Sequence, residues 1–188
     1  MDSGNIGFVL LCAAFVFVMT PGLAMFYGGL VRKKNVVNTM MTSIFIIGVG
    51  IVMWVLFGYS LSFAPSGNAF IGDFRWLGLE GVSLTEGYTD DASIPNMVFS
   101  AFQMMFAVIT PALITGAVAG RMKFKSIFVF TIFWSLIVYY PLAHMVWGQG
   151  GLLGADGIGA LDFAGGDVVH ISSGVSALVL CILLGKRH

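Results

Sequence analysis

Asp162 and His170 lie near the end of the chain in a segment that otherwise has the composition of a membrane interior. They fall within residues 161–171, which also contain Asp167, and are followed by apolar sequence up to Leu184. An aspartate near the centre of a membrane helix costs at least about 2.5 kcal/mol, so such a residue usually has a role. That role is commonly a substrate path, a proton relay or a helix cap.

Asp162 follows the glycine-rich segment 148–160 and opens the last apolar stretch. An aspartate in this position accepts hydrogen bonds from the free backbone N–H groups of the first helical turn, which stabilises the helix by about 0.5–2 kcal/mol. Direct binding of a cation is the alternative. The two roles are compatible, because a cap that orders the turn also orients nearby carbonyl groups.

His170 is expected to lie about 12 Å deeper than Asp162, at the helical rise of about 1.5 Å per residue. Its imidazole can donate and accept hydrogen bonds, and the sequence leaves open a functional role or a satisfied bond between helices. Asp167 precedes it by three positions and is expected to share its helix face. An ionised Asp167 in that place would favour the imidazolium form.

Aromatic residues form a second candidate group. Phe99, Phe102 and Phe106 follow a helical spacing, and Trp147 ends the fourth apolar stretch. Such residues ordinarily face lipid or the core, and tryptophan is common at membrane interfaces. The specific alternative is that Trp147 and Phe106 form an aromatic cup for a cation, which a ring face attracts by about 0.5–2 kcal/mol.

The composition is that of an integral membrane protein. Of the 188 residues, 58% are hydrophobic and only 10% are charged, and the net charge is zero. With no basic patch, nucleic-acid binding has no support. Cys12 and Cys181 lie in different apolar stretches and are not expected to pair, and no zinc-ligand spacing occurs. No nucleophile–base pair or phosphate-binding loop indicates an enzyme, and no metal or cofactor is predicted.

Five apolar stretches are each long enough to cross a hydrocarbon core of about 30 Å. The sequence therefore predicts an all-α membrane protein whose single domain covers residues 1–188. The predicted spans are Phe8–Leu30, Val36–Ser62, Pro95–Ala119, Ser126–Trp147 and Asp162–Leu184. Proline is expected to kink the first span at Pro21, to begin the third at Pro95, and to interrupt the third at Pro111 and the fourth at Pro141. Gly116 and Gly120 form a GxxxG pattern, which favours close helix packing.

Charged residues separate between alternate ends of these spans. Eight of the nine basic residues lie on one side, which the positive-inside rule assigns to the cytoplasm. The N-terminus is then predicted outside and the C-terminus inside. These basic residues are Arg32, Lys33, Lys34, Arg121, Lys123, Lys125, Lys186 and Arg187. The loops on the opposite side carry acidic residues, which either attract cations or are ordinary loop residues. These acidic residues are Asp73, Glu80, Glu86, Asp90, Asp91 and Asp156.

Four segments, in order along the chain, resemble the ammonium transporter family (Amt/Mep/Rh). They are MTPGLAMFYGGLVRKKNV (19–36), FQMMFA (102–107), AHMVWG (143–148) and GALDFAGGDVVHI (159–171). The resemblance implies a fold of about eleven spans, built as two inverted halves of five helices plus a last helix and assembled as a homotrimer. This chain resembles the N-terminal half of that fold.

The resemblance also implies roles for single residues. Trp147 and Phe106 match the outer ammonium site, with Phe106 also part of a phenylalanine gate and Phe102 lining its approach. Asp162 matches the acidic residue that orders the outer site, and His170 matches the first of two pore histidines. Two positions depart from the family pattern. Gly120 stands where glutamate is common, and Asp167 stands where a small neutral residue is frequent.

The function predicted from this resemblance is passage of ammonium or ammonia across the cell membrane, as in nitrogen uptake. A half chain is expected to be inactive until it joins a second half, and a cytoplasmic regulatory protein is an unidentified candidate partner. One alternative is a transporter-like sensor of ammonium. The other is a haem-binding redox protein that uses His144 and His170 as ligands.

Overall fold

Five long helices make up the computed structural model, which describes residues 1–65, 68–155 and 157–186. Each helix is long and apolar enough to cross a membrane, and no strand occurs among the described residues, so the predicted all-α class and its five spans are confirmed. Asp156 and Arg187, two members of the predicted charge pattern, lie outside the described residues. The helices are α1 (Ser3–Leu30), α2 (Lys33–Phe63), α3 (Asn96–Val118), α4 (Phe124–Trp147) and α5 (Gly166–Leu184).

The helix ends follow local sequence signals. α1 begins five residues earlier than predicted, because the Asp2 carboxylate caps it by accepting a hydrogen bond from the Asn5 N–H at 2.8 Å. α3 begins directly after Pro95, as predicted. The predicted start of the fifth span was wrong, because Asp162 precedes the helix and α5 begins at Gly166.

Turns of π-helix occur in three of the five helices. They cover Trp54–Gly58 in α2, Ser135–Tyr139 in α4 and Gly166–Ile171 in α5. The turn in α4 ends two residues before Pro141, whereas α1 and α3 continue as α-helix through Pro21 and Pro111. α2 and α4 approach closely here, since a Cβ placed on Gly58 would lie 2.7 Å from Cζ of Tyr140.

The two ends of the bundle differ in chemistry. At one end, which we call the basic end, Arg32, Lys34, Arg121 and Lys186 line a cleft of about 620 Å³. At the other end, the connections 64–95 and 148–165 meet, so we call it the loop end. There the Leu152 N–H donates to the Ala69 carbonyl at 2.9 Å.

Gly116 and Gly120 have different roles, although the sequence pairs them in one GxxxG pattern. A Cβ on Gly116 would lie 2.5 Å from Cζ of Tyr27, so this glycine lets α1 pack against α3. The Tyr27 hydroxyl is fixed by donating to the Leu113 carbonyl at 3.0 Å. Gly120 lies beyond the end of α3 and has a φ of +72°, a left-handed conformation that terminates the helix and favours glycine. The prediction of a shared packing face was therefore wrong for Gly120.

We expect Gly116→Ala to lower the free energy of unfolding by about 1–3 kcal/mol, because the added methyl group has no space beside the fixed Tyr27 ring. Gly48→Ala is the matched control, since a Cβ at this mid-helix glycine meets no atom within 4 Å. It should be neutral or slightly stabilising. SDS titration of both variants in mixed micelles measures the difference, and equal stabilities would contradict the packing assignment.

Candidate functional site

Four predicted site residues come together near the loop end. The rings of Phe102 and Phe106 are 5.1 Å apart and nearly perpendicular, at 81°. The rings of Phe106 and Trp147 are 6.4 Å apart, at 66°. The Trp147 indole N–H donates to the backbone carbonyl of Asp162 at 3.2 Å. All four residues are half-buried, so they form one continuous group that remains reachable from outside the bundle.

Local structure explains how the two helices present these rings. Phe102 and Phe106 are four residues apart on α3, so they project from the same face. Trp147 is the last residue of α4, and Gly148 leaves the helix in an extended conformation. A Cβ on Gly148 would lie 2.6 Å from Nδ1 of His144, so only glycine fits at this exit.

The Asp162 carboxylate caps α5 through four backbone amides. One oxygen accepts from the N–H groups of Gly165 and Gly166, at 2.6 and 2.7 Å. The other accepts from those of Asp167 and Val168, at 2.9 and 3.0 Å. The predicted cap is therefore confirmed. Because a carboxylate offers about four lone-pair directions, these bonds leave little capacity for a direct cation contact.

His170 lies in the π turn at the start of α5. Its backbone N–H donates to the Gly165 carbonyl at 3.0 Å, and its side chain is exposed in this chain. Among the described residues, no ring contact or hydrogen bond joins the His170 side chain to Phe102, Phe106 or Trp147. The structure therefore places His170 on the helix that Asp162 caps, apart from the aromatic group.

Asp167 was expected to share a helix face with His170. The prediction assumed an α-helix, in which residues three apart are neighbours. Both residues lie in a π turn, which bonds each residue to the fifth rather than the fourth residue before it, so the α-helical spacing does not apply to them. Within the described chain, we find no hydrogen bond between them.

Phe99 separates from the aromatic stripe that the sequence predicts. Its ring stacks on Tyr88 at 5.0 Å and 8°, and meets Phe63 edge-on at 5.1 Å. The stripe therefore divides, with Phe99 in a loop-end cluster and with Phe102 and Phe106 in the candidate site.

His144 is fully buried, and both of its ring nitrogens face backbone carbonyls. Nδ1 lies 3.1 Å from the oxygen of Ser62, and Nε2 lies 2.8 Å from the oxygen of Asn68. Binding of haem iron would require one of these contacts to break and the ring to leave its site. The haem alternative is therefore wrong for His144, whose contacts instead tie the end of α4 to the end of α2.

Sequence reasoning missed a pair of residues at the loop end, one of which follows Trp147 by two positions. The Tyr88 hydroxyl oxygen accepts from the Gln149 backbone N–H at 3.0 Å, and the Tyr88 carbonyl accepts from Gln149 Nε2 at 2.9 Å. Burial raises the pKa of Tyr88 to about 12, while the bond from Gln149 acts in the opposite direction. The phenol therefore stays protonated at physiological pH. No spacing pattern in the sequence indicates this pair, because it joins two separate loops.

The acidic loop carries less uncompensated charge than its composition indicates. Asp73 pairs with Arg75 at 2.7 Å, and the hydrogen bond from the Arg75 side chain holds the pKa of Asp73 below its usual value. This carboxylate stays ionised at neutral pH, but its charge is matched locally. The negative charge of this loop therefore depends on its remaining carboxylates.

Comparisons with known proteins point to one family. Residues 7–188 match the family model described as the Ammonium Transporter Family. The chain is 54% identical to an ammonium transporter of Bacillus subtilis, over 100% of this chain and 45% of that protein. Its fold is similar to Candida albicans Mep2, with a TM-score of 0.87 and 34% identity over 100% of this chain and 40% of that one. A structure described as a sensor Amt protein is also similar, with a TM-score of 0.83 and 27% identity over 97% of this chain and 44% of that one. The chain thus spans less than half the length of these relatives.

We expect Asp162→Ala to lower the free energy of unfolding by about 1–3 kcal/mol, because four amides lose their acceptor. Hydrogen exchange at residues 165–168 should accelerate by about tenfold or more, since 1.4 kcal/mol corresponds to a factor of ten. Asp162→Asn keeps one acceptor oxygen and should show a smaller effect. Asp91→Asn, on the exposed loop, is the control. Unchanged exchange in Asp162→Ala would contradict the capping role.

Proposed function

This chain belongs to the ammonium transporter family, and from that premise we propose that it supplies one half of a path for ammonium or ammonia across a membrane. The observation that carries the proposal is the contact group at the loop end, where the rings of Phe106 and Trp147 lie 6.4 Å apart and the Trp147 indole donates a hydrogen bond to the Asp162 carbonyl. The proposed activity is transport, as in nitrogen uptake, rather than catalysis.

Trp147 and Phe106 form the outer site in this proposal. A ring face attracts a small cation by about 0.5–2 kcal/mol, and by more where water is excluded. An ammonium ion entering from the loop end meets the indole first, because Trp147 ends its helix there. The carbonyl of Asp162 already accepts the indole N–H, so the ring is oriented before a cation arrives.

Asp162 acts in this scheme as a positioning residue. Its carboxylate is engaged by four amides, and its carbonyl holds Trp147, so a single residue orders both the helix start and the indole. Loss of the carboxylate would then weaken ammonium binding indirectly, through movement of the indole.

Phe102 and Phe106 form the next part of the path. In this proposal Phe106 is part of an apolar gate whose second phenylalanine comes from the other half, and Phe102 lines the approach with its ring 5.1 Å from that of Phe106. Moving an ion into such a dry passage is expensive, whereas neutral ammonia crosses it at much lower cost. The cation therefore passes its proton to water at the open mouth or to His170 on α5, and the His170 ring hydrogen-bonds the neutral ammonia beyond the gate.

The second half of the path is proposed to come from a second set of spans. Leu161 is 97% exposed, Phe163 is fully exposed, and His170 is exposed beside them, so this surface of the chain is open. Inverted repeats place the substrate path at their interface, near the middle of the membrane. A complete molecule would contain two such halves and a pore in each subunit of a homotrimer, as the family resemblance implies.

The proposed orientation of the chain in the membrane follows from the charges at the basic end. Arg32, Lys34, Arg121 and Lys186 gather around one cleft, and the positive-inside rule assigns such an end to the cytoplasm. The loop end and the outer site then face outward across the cell membrane. A regulatory protein would approach from the basic end.

A sensor of ammonium is the second candidate function, favoured by the likeness to the sensor Amt protein. The two functions use the same outer site. They are distinguished by what the gene encodes beyond this half, because a signalling domain favours sensing and a second set of inverted spans favours transport.

Uptake of labelled methylammonium tests the proposed path. This chain would replace the matching part of the Bacillus subtilis relative, to which it is 54% identical. We expect Trp147→Leu to raise the apparent KM about threefold or more, since cation–π attraction is worth about 0.5–2 kcal/mol. His170→Ala should lower the transport rate, because the path loses its hydrogen-bonding group.

Phe133→Leu is the matched control, since Phe133 lies on the exposed face of the same helix as Trp147. It should leave uptake unchanged. Unchanged uptake and selectivity in both site variants would contradict these assignments. Absence of uptake by a folded, membrane-inserted chimaera would contradict the proposed function itself.

A further inference from the structure

We propose that Tyr88 and Gln149 form a strut that fixes the position of Trp147, and that this strut sets the affinity of the outer site. Neither residue lies in the aromatic site, so both are positioning residues. The inference rests on the proposed function, because its consequence is measured as ammonium affinity.

The first observation is where Tyr88 is anchored. Its ring stacks on Phe99 of α3 at 5.0 Å and 8°, and meets Phe63, the last residue of α2, edge-on at 5.5 Å and 89°. Phe63 is fully buried. The Tyr88 ring is therefore fixed to the helix that carries Phe102 and Phe106, although Tyr88 itself belongs to the loop before α3.

The second observation is what Tyr88 holds. Its hydroxyl oxygen and its backbone carbonyl both accept hydrogen bonds from Gln149, at 3.0 and 2.9 Å. Gln149 comes two residues after Trp147. Two bonds to one residue fix its orientation as well as its position. Tyr88 thus connects the α3 side of the site to the α4 side.

The third observation is the flexibility of the segment that the strut holds. Residues 148–151 are Gly148, Gln149, Gly150 and Gly151, so Gln149 carries the only side chain among them. Gly150 has a φ of +76°, and a Cβ on Gly151 would lie 2.2 Å from the His144 carbonyl. The glycines are required by the tight path after Trp147, but they leave the segment with little intrinsic stiffness.

The exposure of Gln149 supports a positioning role over a role in the core. Its side chain is exposed, so burial does not determine where it lies. Water can also bond to its amide in other conformations, so the side chain is not confined by a need to satisfy its polar atoms. The contact with Tyr88 selects one of these conformations, and it does so at the exit of the helix that ends in Trp147.

Tyr88→Phe keeps the ring and removes the hydrogen bond that the hydroxyl accepts from the Gln149 backbone N–H. Gln149→Met keeps the side-chain length and removes the hydrogen bond from Nε2 to the Tyr88 carbonyl. In the chimaera used for uptake, each is expected to raise the KM for methylammonium about threefold to tenfold, with kcat unchanged within about twofold, from the net strength of one hydrogen bond. Tyr27→Phe is the matched control, since it also removes one tyrosine hydroxyl bond to another segment, near the far end of α3.

The indole N–H signal of Trp147 provides a readout that does not depend on transport. The chain has four tryptophans, and Trp147→Phe identifies the relevant signal in a nitrogen–proton NMR spectrum of the 188-residue chain. Tyr88→Phe and Gln149→Met should shift this signal, whereas Tyr27→Phe should leave it in place.

An unmoved Trp147 signal in both strut variants would overturn the proposal. So would a lower kcat with an unchanged KM, which indicates damage to the path rather than to the outer site. If the unsubstituted chimaera takes up no methylammonium, the proposed function fails, and the Trp147 signal still decides whether Tyr88 positions the indole.

Discussion

The carboxylate of Asp162 accepts hydrogen bonds from four consecutive backbone amides, and the candidate site depends on that contact. In a bilayer every backbone polar group must find a partner within the protein, so a helix that starts at membrane depth needs a local acceptor. Asp162 provides this acceptor four residues before α5 begins. The backbone carbonyl of Asp162 also accepts a hydrogen bond from the indole N–H of Trp147. A single turn thereby fixes the first residues of the fifth helix, including His170, and the ring that ends the fourth. These contacts give the acidic residue a structural role in an otherwise apolar sequence.

The loop end has its own framework of rings, separate from the candidate site. Tyr59 stacks on Trp76 at 5.4 Å, and Tyr88 stacks on Phe99 at 5.0 Å. Large, rigid rings bury much surface at low entropic cost, and polar edges can still reach partners in the loops. His144 extends this framework by joining the end of α4 to the carbonyls near the end of α2. The candidate site therefore lies on a supported surface rather than on a mobile loop.

A half-length chain leaves the site open on one side. His170, Leu161 and Phe163 are exposed, whereas Phe106 and Trp147 are half-buried against each other. The exposed surface includes the residue expected to act in the middle of the path. The proposed outer site is thus largely assembled from this chain, while the proposed inner path requires surfaces that this chain does not contain. Ammonium binding and conduction should therefore separate experimentally. The affinity for ammonium should be determined mainly by this half, whereas conduction should depend on both halves.

The amino-acid sequence alone determined the features that depend on composition and on nearby residues. Five apolar stretches predicted the five spans, and the Asp162 cap was predictable because its carboxylate and its four amides lie within six residues of each other. Tertiary structure decided what depends on distant residues. The contact of Tyr88 with Gln149 spans 61 residues, and the contacts of His144 span 82 and 76. Helical spacing placed Phe99 with Phe102, and the fold separated them because a loop ring occupied the space beside Phe99. Periodicity shows which face of a helix a residue occupies, but only the packing of loops and helices decides which partner that face meets.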